Sequence, residues 1–236
     1  LIEGAGAAPD GLRYLLVALI PKGDGSNRPI VLFRSIIRIM NKVLARRVRK
    51  WEAERLVEAP FGNSGHRQTT DHTYRFDLRQ AVSIVLGVDM HGAVLQLDLA
   101  KCFEMVQRKI FWKAASDLGY PMSVARLSLG LYGDERRIMG AFGVASKPMR
   151  AARGIAAGSA FATFELKLYI LQFASKFMMF KDHLQVSIHV DDIHMHVFAK
   201  TKDEVIDAST NIACMAQTEL YGTGLQLAGE KEAILS

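Results

Sequence analysis

The chain has 236 residues, 50% of them apolar, with 30 Lys and Arg against 24 Asp and Glu, a net charge of +6 and a pI near 9.4. This composition excludes a disordered chain, and the length supports one large domain or two small ones sharing an interface. The two cysteines, Cys102 and Cys214, lie outside any C-x-x-C pattern, which excludes a disulfide framework or structural zinc and predicts a reducing, intracellular setting, nuclear or cytoplasmic in a eukaryote.

Residues 1–11 read as a flexible N-terminal segment. Leu12 to Ile20 is a β-prone apolar run ending at Pro21, and Lys22 to Pro29 is a turn-rich connection. Ile30 to about Leu56 has helical spacing, with Ile36, Ile37, Met40, Val43, Leu44 and Val48 on one side and basic residues on the other. Residues 11–50 hold ten Lys and Arg and a single acid, Asp24. Such a block fits either a polyanion partner or a solvated helix face. Phe61 to Asp71 reads as a loop and Thr73 to Val88 as a helix.

Val94 to Leu99 is a short apolar run, taken as a buried strand. Helices are predicted over Lys109–Leu118 and Met122–Tyr132, and a strand over Arg136–Val144 that pairs with Ser146–Ala152. Gly154 to Ser159 is a loop leading into a helix from Ala160 to about Phe180. Glu165, Lys167, Gln172 and Lys176 interrupt that helix, so it does not span a membrane, and no membrane partner is expected. Gln185 to Phe198 alternates on both sides of Asp191-Asp192, the period of a strand pair with the acids at the turn. An amphipathic helix follows from Asp203 to Leu220, with Gly222 beyond its end, and Leu225–Leu227 is a last short strand. The chain starts without Met and stops inside a patterned region, so it is expected to be part of a longer polyprotein.

Two acidic sites sit at the ends of apolar strands: Asp98 in Leu95-Gln96-Leu97-Asp98-Leu99, and Asp191-Asp192 after Ile188-His189-Val190. Carboxylates are rarely tolerated in such company without a cation or good hydrogen bonds. If the two strand ends meet, like charges repel and divalent hard cations relieve the repulsion. A turn Asp pair with an unrelated strand-end Asp is the plainer alternative, and spacing alone leaves both open. His194 and His196 alternate with Asp192 on one strand face, which fits a transition-metal site or an ordinary polar face.

Further short motifs surround these acids. In chain order they are Leu19-Ile20-Pro21-Lys22-Gly23-Asp24-Gly25 with Arg28-Pro29-Ile30, then Phe61-Gly62 with His66-Arg67-Gln68-Thr69-Thr70-Asp71. Next come Leu97-Asp98-Leu99-Ala100-Lys101-Cys102-Phe103, Gly154-Ile155-Ala156-Ala157-Gly158-Ser159, His189-Val190-Asp191-Asp192, and Gly224-Leu225 with Leu227 and Lys231. This ordered series resembles reverse transcriptases, especially those of non-LTR (LINE-type) retroelements and group II introns, over roughly residues 15–236. The palm loop departs from the usual G-x-P-Q-G-S at Ala157, and His189 stands where an aromatic residue is usual.

The resemblance implies an α+β right-hand polymerase, its palm an antiparallel sheet with helices packed on one face. Fingers would span 12–88 and the palm 89–236, with part of 110–153 packing with the fingers and the thumb absent. It implies RNA-directed DNA polymerase activity: a primer 3′-hydroxyl attacks a dNTP on an RNA template with a DNA primer. Asp98, Asp191 and Asp192 would hold two Mg²⁺ ions, with Mn²⁺ as a substitute. Lys22, Arg28, Phe103, Ala157 and Gly158 would meet the nucleotide, Phe103 excluding a 2′-hydroxyl. Arg67 and Ser159 would touch nucleic acid, and Lys231 would protonate the leaving pyrophosphate. The alternatives are a catalytically weak or decayed retroelement-derived domain that only binds nucleic acid, and an RNA-dependent RNA polymerase.

Overall fold

A computed structural model of the chain describes residues 9–23, 25–56, 59–61, 78, 91–140, 143–180, 183–228 and 233–235. In chain order the elements are β1 (Leu15–Pro21), β2 (Asn27–Leu32), α1 (Ser35–Arg55), β3 (His91–Asp98), α2 (Cys102–Met105), α3 (Arg108–Asp117), α4 (Met122–Gly133), β4 (Arg136–Ile138), α5 (Ala162–Phe177), β5 (Leu184–His189), β6 (Asp192–Ala199), α6 (Lys202–Thr223) and β7 (Ala233–Leu235). They form two compact units, one of Leu1–Trp51 with Phe103–Leu168, the other of Glu52–Cys102 with Tyr169–Ser236. The predicted loop beyond Phe61 and nearly all of the predicted helix from Thr73 to Val88 lie outside the described residues.

The first unit holds a three-stranded sheet in the order β2-β1-β4, with β1 antiparallel to β2 and parallel to β4. The hairpin turn closes through Lys22 N–H to the Ser26 carbonyl at 2.8 Å and Gly25 N–H to the Lys22 carbonyl at 3.2 Å. The helix expected from Ile30 starts only at Ser35. Ile30, Val31 and Leu32 instead complete the ladder opposite Ala18, Val17 and Leu16. Pro29 fits here because β2 is an edge strand, where a missing N–H costs no ladder bond.

The buried stripe of α1 is Ile37, Asn41, Leu44, Val48 and Trp51, a clean 3.6-residue repeat. Ile36, Ile39 and Val43 are exposed, so the expected apolar face is rotated away from Ile36 and Val43. Trp51 donates its indole N–H to the Leu118 carbonyl at 3.0 Å and meets Tyr120 edge-on at 5.1 Å. The predicted strand pair after Arg136 is reduced to β4 with single bridges Arg136–Met149 and Met139–Ala145, and β4 pairs instead in parallel with β1.

The second unit is built on a four-stranded antiparallel sheet in the order β5-β6-β3-β7, with α6 packed against β3 and β6. Strand alternation is clean: Ala93, Leu95 and Leu97 are buried opposite Val197, Met195 and Ile193, while the residues between them stay half-exposed or exposed. The helix expected from Asp203 starts at Lys202, capped by Thr201 in a capping box with Glu204. The helix runs through Gly222 and ends at Gly224, whose φ of +80° is the left-handed stop. The last strand is β7, since Leu227 makes only a single bridge to Leu99. Among the described residues no helix is long and apolar enough to cross a membrane.

Candidate active site

The strand ends that carry the carboxylates pair in the second unit. β3 ends at Asp98 and β6 begins at Asp192, and the two are direct cross-strand partners in the last rung of the ladder. Directly opposed residues project from the same face, with Cβ atoms about 4.5–5.5 Å apart. Asp191 stands beside them in the two-residue turn that joins β5 to β6. All three are half-buried, at the open end of a sheet whose other face is apolar core.

The backbone around them is strained. Val190, just before Asp191, has φ of +60°, and Lys101, three residues after Asp98, has φ of +48°. They are the only non-glycine residues with positive φ among those described. A β-branched residue in that region is a genuine outlier that persists only where the surroundings force it. The forcing is visible. Ile188 N–H is tied to the Pro60 carbonyl at 2.8 Å, Ala228 N–H to the Asp98 carbonyl at 2.9 Å, and Ala100 N–H to the Gln226 carbonyl at 2.8 Å. These bonds pin the chain on both sides of the acids.

This donor set fits a hard divalent cation. Like charges directly opposite on a sheet repel, and bound metal converts that repulsion into attraction. Among the described residues no group of three or more His, Cys, Asp or Glu side chains is placed to hold a metal ion by itself, the three acids included. Mg²⁺ does not need such a cage, because it keeps waters and takes substrate phosphate oxygens. A transition-metal site does need one, which removes that reading of His194, His196 and Asp192.

The residues expected at the nucleotide gather in the first unit. Lys22 and Arg28 are exposed, at the distal end of the β1–β2 hairpin. The loop 154–159 is stitched on one side to the Phe103 segment, by Ile155 N–H to the Phe103 carbonyl at 2.9 Å and Gly154 N–H to the Val106 carbonyl at 2.8 Å. On the other side Val31 N–H donates to the Ala157 carbonyl at 2.7 Å. Gly158, at φ of +108°, packs so tightly on β2 that a Cβ would lie 2.4 Å from the Val31 carbonyl oxygen. The helix expected from Ala160 begins two residues later. α5 starts at Ala162, and Ser159 Oγ accepts from Phe161 N–H at 3.2 Å. Arg67 and Lys231 lie outside the described residues.

Sequence reasoning missed a buried group behind this loop. Glu165 is fully buried, and the Tyr132 hydroxyl donates to its Oε2 at 2.6 Å. Burial pushes the carboxyl up to about 7, and the Ser128 and Tyr132 hydroxyls pull it back part of the way. The signal was present as an acid interrupting an apolar helix.

A family model described as reverse transcriptase (RNA-dependent DNA polymerase) matches residues 20–236. No curated protein matches the chain in sequence. Among solved structures, apo telomerase from Candida tropicalis aligns with TM-score 0.72 at 12% identity, over 98% of this chain and 46% of that one. Telomerase from Candida albicans, in complex with the TWJ fragment of telomeric RNA, aligns with TM-score 0.68 at 12% identity, over 98% and 44%. A Candida tropicalis telomerase truncated from its C-terminal domain aligns with TM-score 0.68 at 12% identity, over 97% and 51%. The chain thus spans about half the length of these structures or less, and shares with them an α+β fingers-and-palm fold.

Proposed function

The chain belongs to the reverse transcriptase (RNA-dependent DNA polymerase) family, and on that premise we propose that it is an RNA-directed DNA polymerase core, joining a dNTP to a primer 3′-hydroxyl. The observation that supports this most is the Asp98–Asp192 rung with Asp191 in the adjoining turn. The finer kinship, with non-LTR retroelements, rests on the motif series.

In this reading Asp98, Asp191 and Asp192 hold two Mg²⁺ ions. When bound, the ions supply charge stabilisation of the attacking and leaving oxygens. The strained turns at Lys101 and Val190 fix where the carboxylates stand, which lowers the reorganisation needed at reaction. Arg28 forks onto the triphosphate and Lys22 adds a mobile positive charge. Phe103, half-exposed where its carbonyl holds Ile155, excludes a ribose 2′-hydroxyl. Gly158, packed on β2 where no side chain fits, sets where the loop main chain meets the nucleotide. Arg67, Ser159 and Lys231 keep their proposed roles at the nucleic acid and the leaving pyrophosphate.

Primer extension with RNA and DNA templates, and with dNTPs and rNTPs, tests the assignment. It predicts DNA synthesis on RNA with Mg²⁺ and dNTPs. Preference for rNTPs would instead favour an RNA polymerase. Salt-dependent RNA binding without synthesis would favour a decayed binding domain.

A further inference from the structure

The first unit buries a polar constellation that the carboxylate chemistry leaves unused. Its centre is Tyr132, fully buried near the end of α4. The phenol donates to Glu165 Oε2 at 2.6 Å, and the Ser159 hydroxyl stands beside the same phenol. The Tyr132 carbonyl accepts from Nη2 of Arg108 and from Nη2 of Arg136, each at 2.7 Å. Arg108 continues outward, donating from Nε to the Gly154 carbonyl at 3.0 Å and from Nη2 to the Arg153 carbonyl at 3.4 Å. One residue thus reaches both ends of the loop 154–159: Ser159 through its hydroxyl, Gly154 through Arg108.

We propose that Tyr132 is a positioning residue, holding the loop 154–159 in one conformation through Glu165 and Ser159 at one end and Arg108 at the other, and so setting how Ala157 and Gly158 meet a nucleoside triphosphate. The loop half of this stands on the Arg108 hydrogen bonds at the Gly154 end and on the placing of Ser159 beside the phenol at the other; the nucleotide half rests on the function proposed above.

The loop needs such a frame. Gly154 and Gly158 have φ of +88° and +108°, and both are jammed against neighbouring main chain. Such geometry survives only when the surroundings over-determine it. Two guanidiniums at the C-terminal carbonyls of α4 also oppose the partial negative charge there. A mere packing aromatic would not need the hydroxyl that Tyr132 donates to Glu165; its carbonyl contacts belong to the backbone.

The groups that face Glu165 are Tyr132 and Ser128 from α4 and Tyr120 from the turn before it. Lys167, its neighbour on α5, holds its ammonium 5.7 Å from the Phe164 ring centre. With its carboxyl near 7, Glu165 changes charge between pH 6 and 8, and the cost of the buried charge then favours local openings that hydrate it.

The test is hydrogen–deuterium exchange on the whole chain, beside dNTP kinetics. Tyr132→Phe is expected to speed exchange at the Ile155 and Val31 amides by about tenfold, the effect of one lost hydrogen bond on a local opening, with Leu95 and Leu97 in β3 unchanged. In the wild type, exchange at these loop amides should rise between pH 6 and 8 beyond the intrinsic chemical rate. Glu165→Gln, the milder change, should remove that rise. Where the wild type polymerises, Tyr132→Phe should raise the KM for dNTP several-fold and leave kcat near wild type. Unchanged loop exchange in both variants, or a rise spread equally over β3, overturns the proposal. A wild type that exchanges as expected but never extends a primer sinks the proposed function and leaves the loop frame standing.

Discussion

Replacing Glu165 by Gln should remove a pH-dependent loss of stability. Glu165 is fully buried, and its carboxyl is pushed from the ordinary 4.5 up to about 7, chiefly by burial. Between these values the unfolded chain has released this proton while the folded chain still holds it. Stability therefore falls as pH rises through that window, by about 1.4 kcal/mol per pH unit. The loss is absent below 4.5 and complete above about 7, where it totals about 3 kcal/mol. Gln cannot ionise, yet it keeps an oxygen to accept from Tyr132. Its amide can donate toward Ser128 Oγ or Tyr120 Oη, both of which face the buried carboxyl. Urea unfolding of both proteins at pH 5, 6, 7 and 8 isolates the effect, since other titrating groups cancel in the difference. The variant should match the wild type near pH 5 and exceed it by about 3 kcal/mol at pH 8. A difference that stays constant with pH would refute the reasoning.

Two further substitutions probe the backbone and the acids. Gly158→Ala must place a Cβ 2.4 Å from the Val31 oxygen at φ of +108°, so it should cost about 3 kcal/mol through strain and loss of the Val31–Ala157 bond. Gly222→Ala, in open space on α6, should instead stabilise by about 0.5–1 kcal/mol, and equal effects at the two sites would contradict the account. Asp192→Asn should stabilise the metal-free protein by about 0.5 kcal/mol, by removing a like charge opposite Asp98. That gain should vanish in millimolar Mg²⁺, and a gain unaffected by Mg²⁺ would argue against a shared cation.

Periodicity carried much of the fold into the sequence. The alternation after Asp191-Asp192 marks β6 because one face is core and the other is not, and a one-residue slip of that strand would turn Asp192 to the core face. Hydropathy failed on α1, where Ile36, Ile39 and Val43 face outward while Asn41 is buried. Apolar residues lie on both sides of that helix, so tertiary packing chose the buried face. Pairing failed around β4, because its partner β1 lies more than a hundred residues earlier and leaves no local trace.

The three acids were legible as strand-end anomalies. Their meeting as Asp98–Asp192 partners is a matter of register, which only the folded sheet sets. Glu165 was visible as an interruption of an apolar helix, but its meaning depends on Tyr132, 33 residues away in the chain. Strain at Val190 was not legible, since nothing in a Val-Asp-Asp run announces a left-handed backbone.

The most direct measurement is a primer-extension time course on an RNA template with a DNA primer, dNTPs and Mg²⁺, comparing the wild type with Asp98→Asn and Asp191→Asn. The account predicts synthesis by the wild type and its loss in both variants, with RNA binding retained in all three. Extension by either variant at the wild-type rate would contradict it.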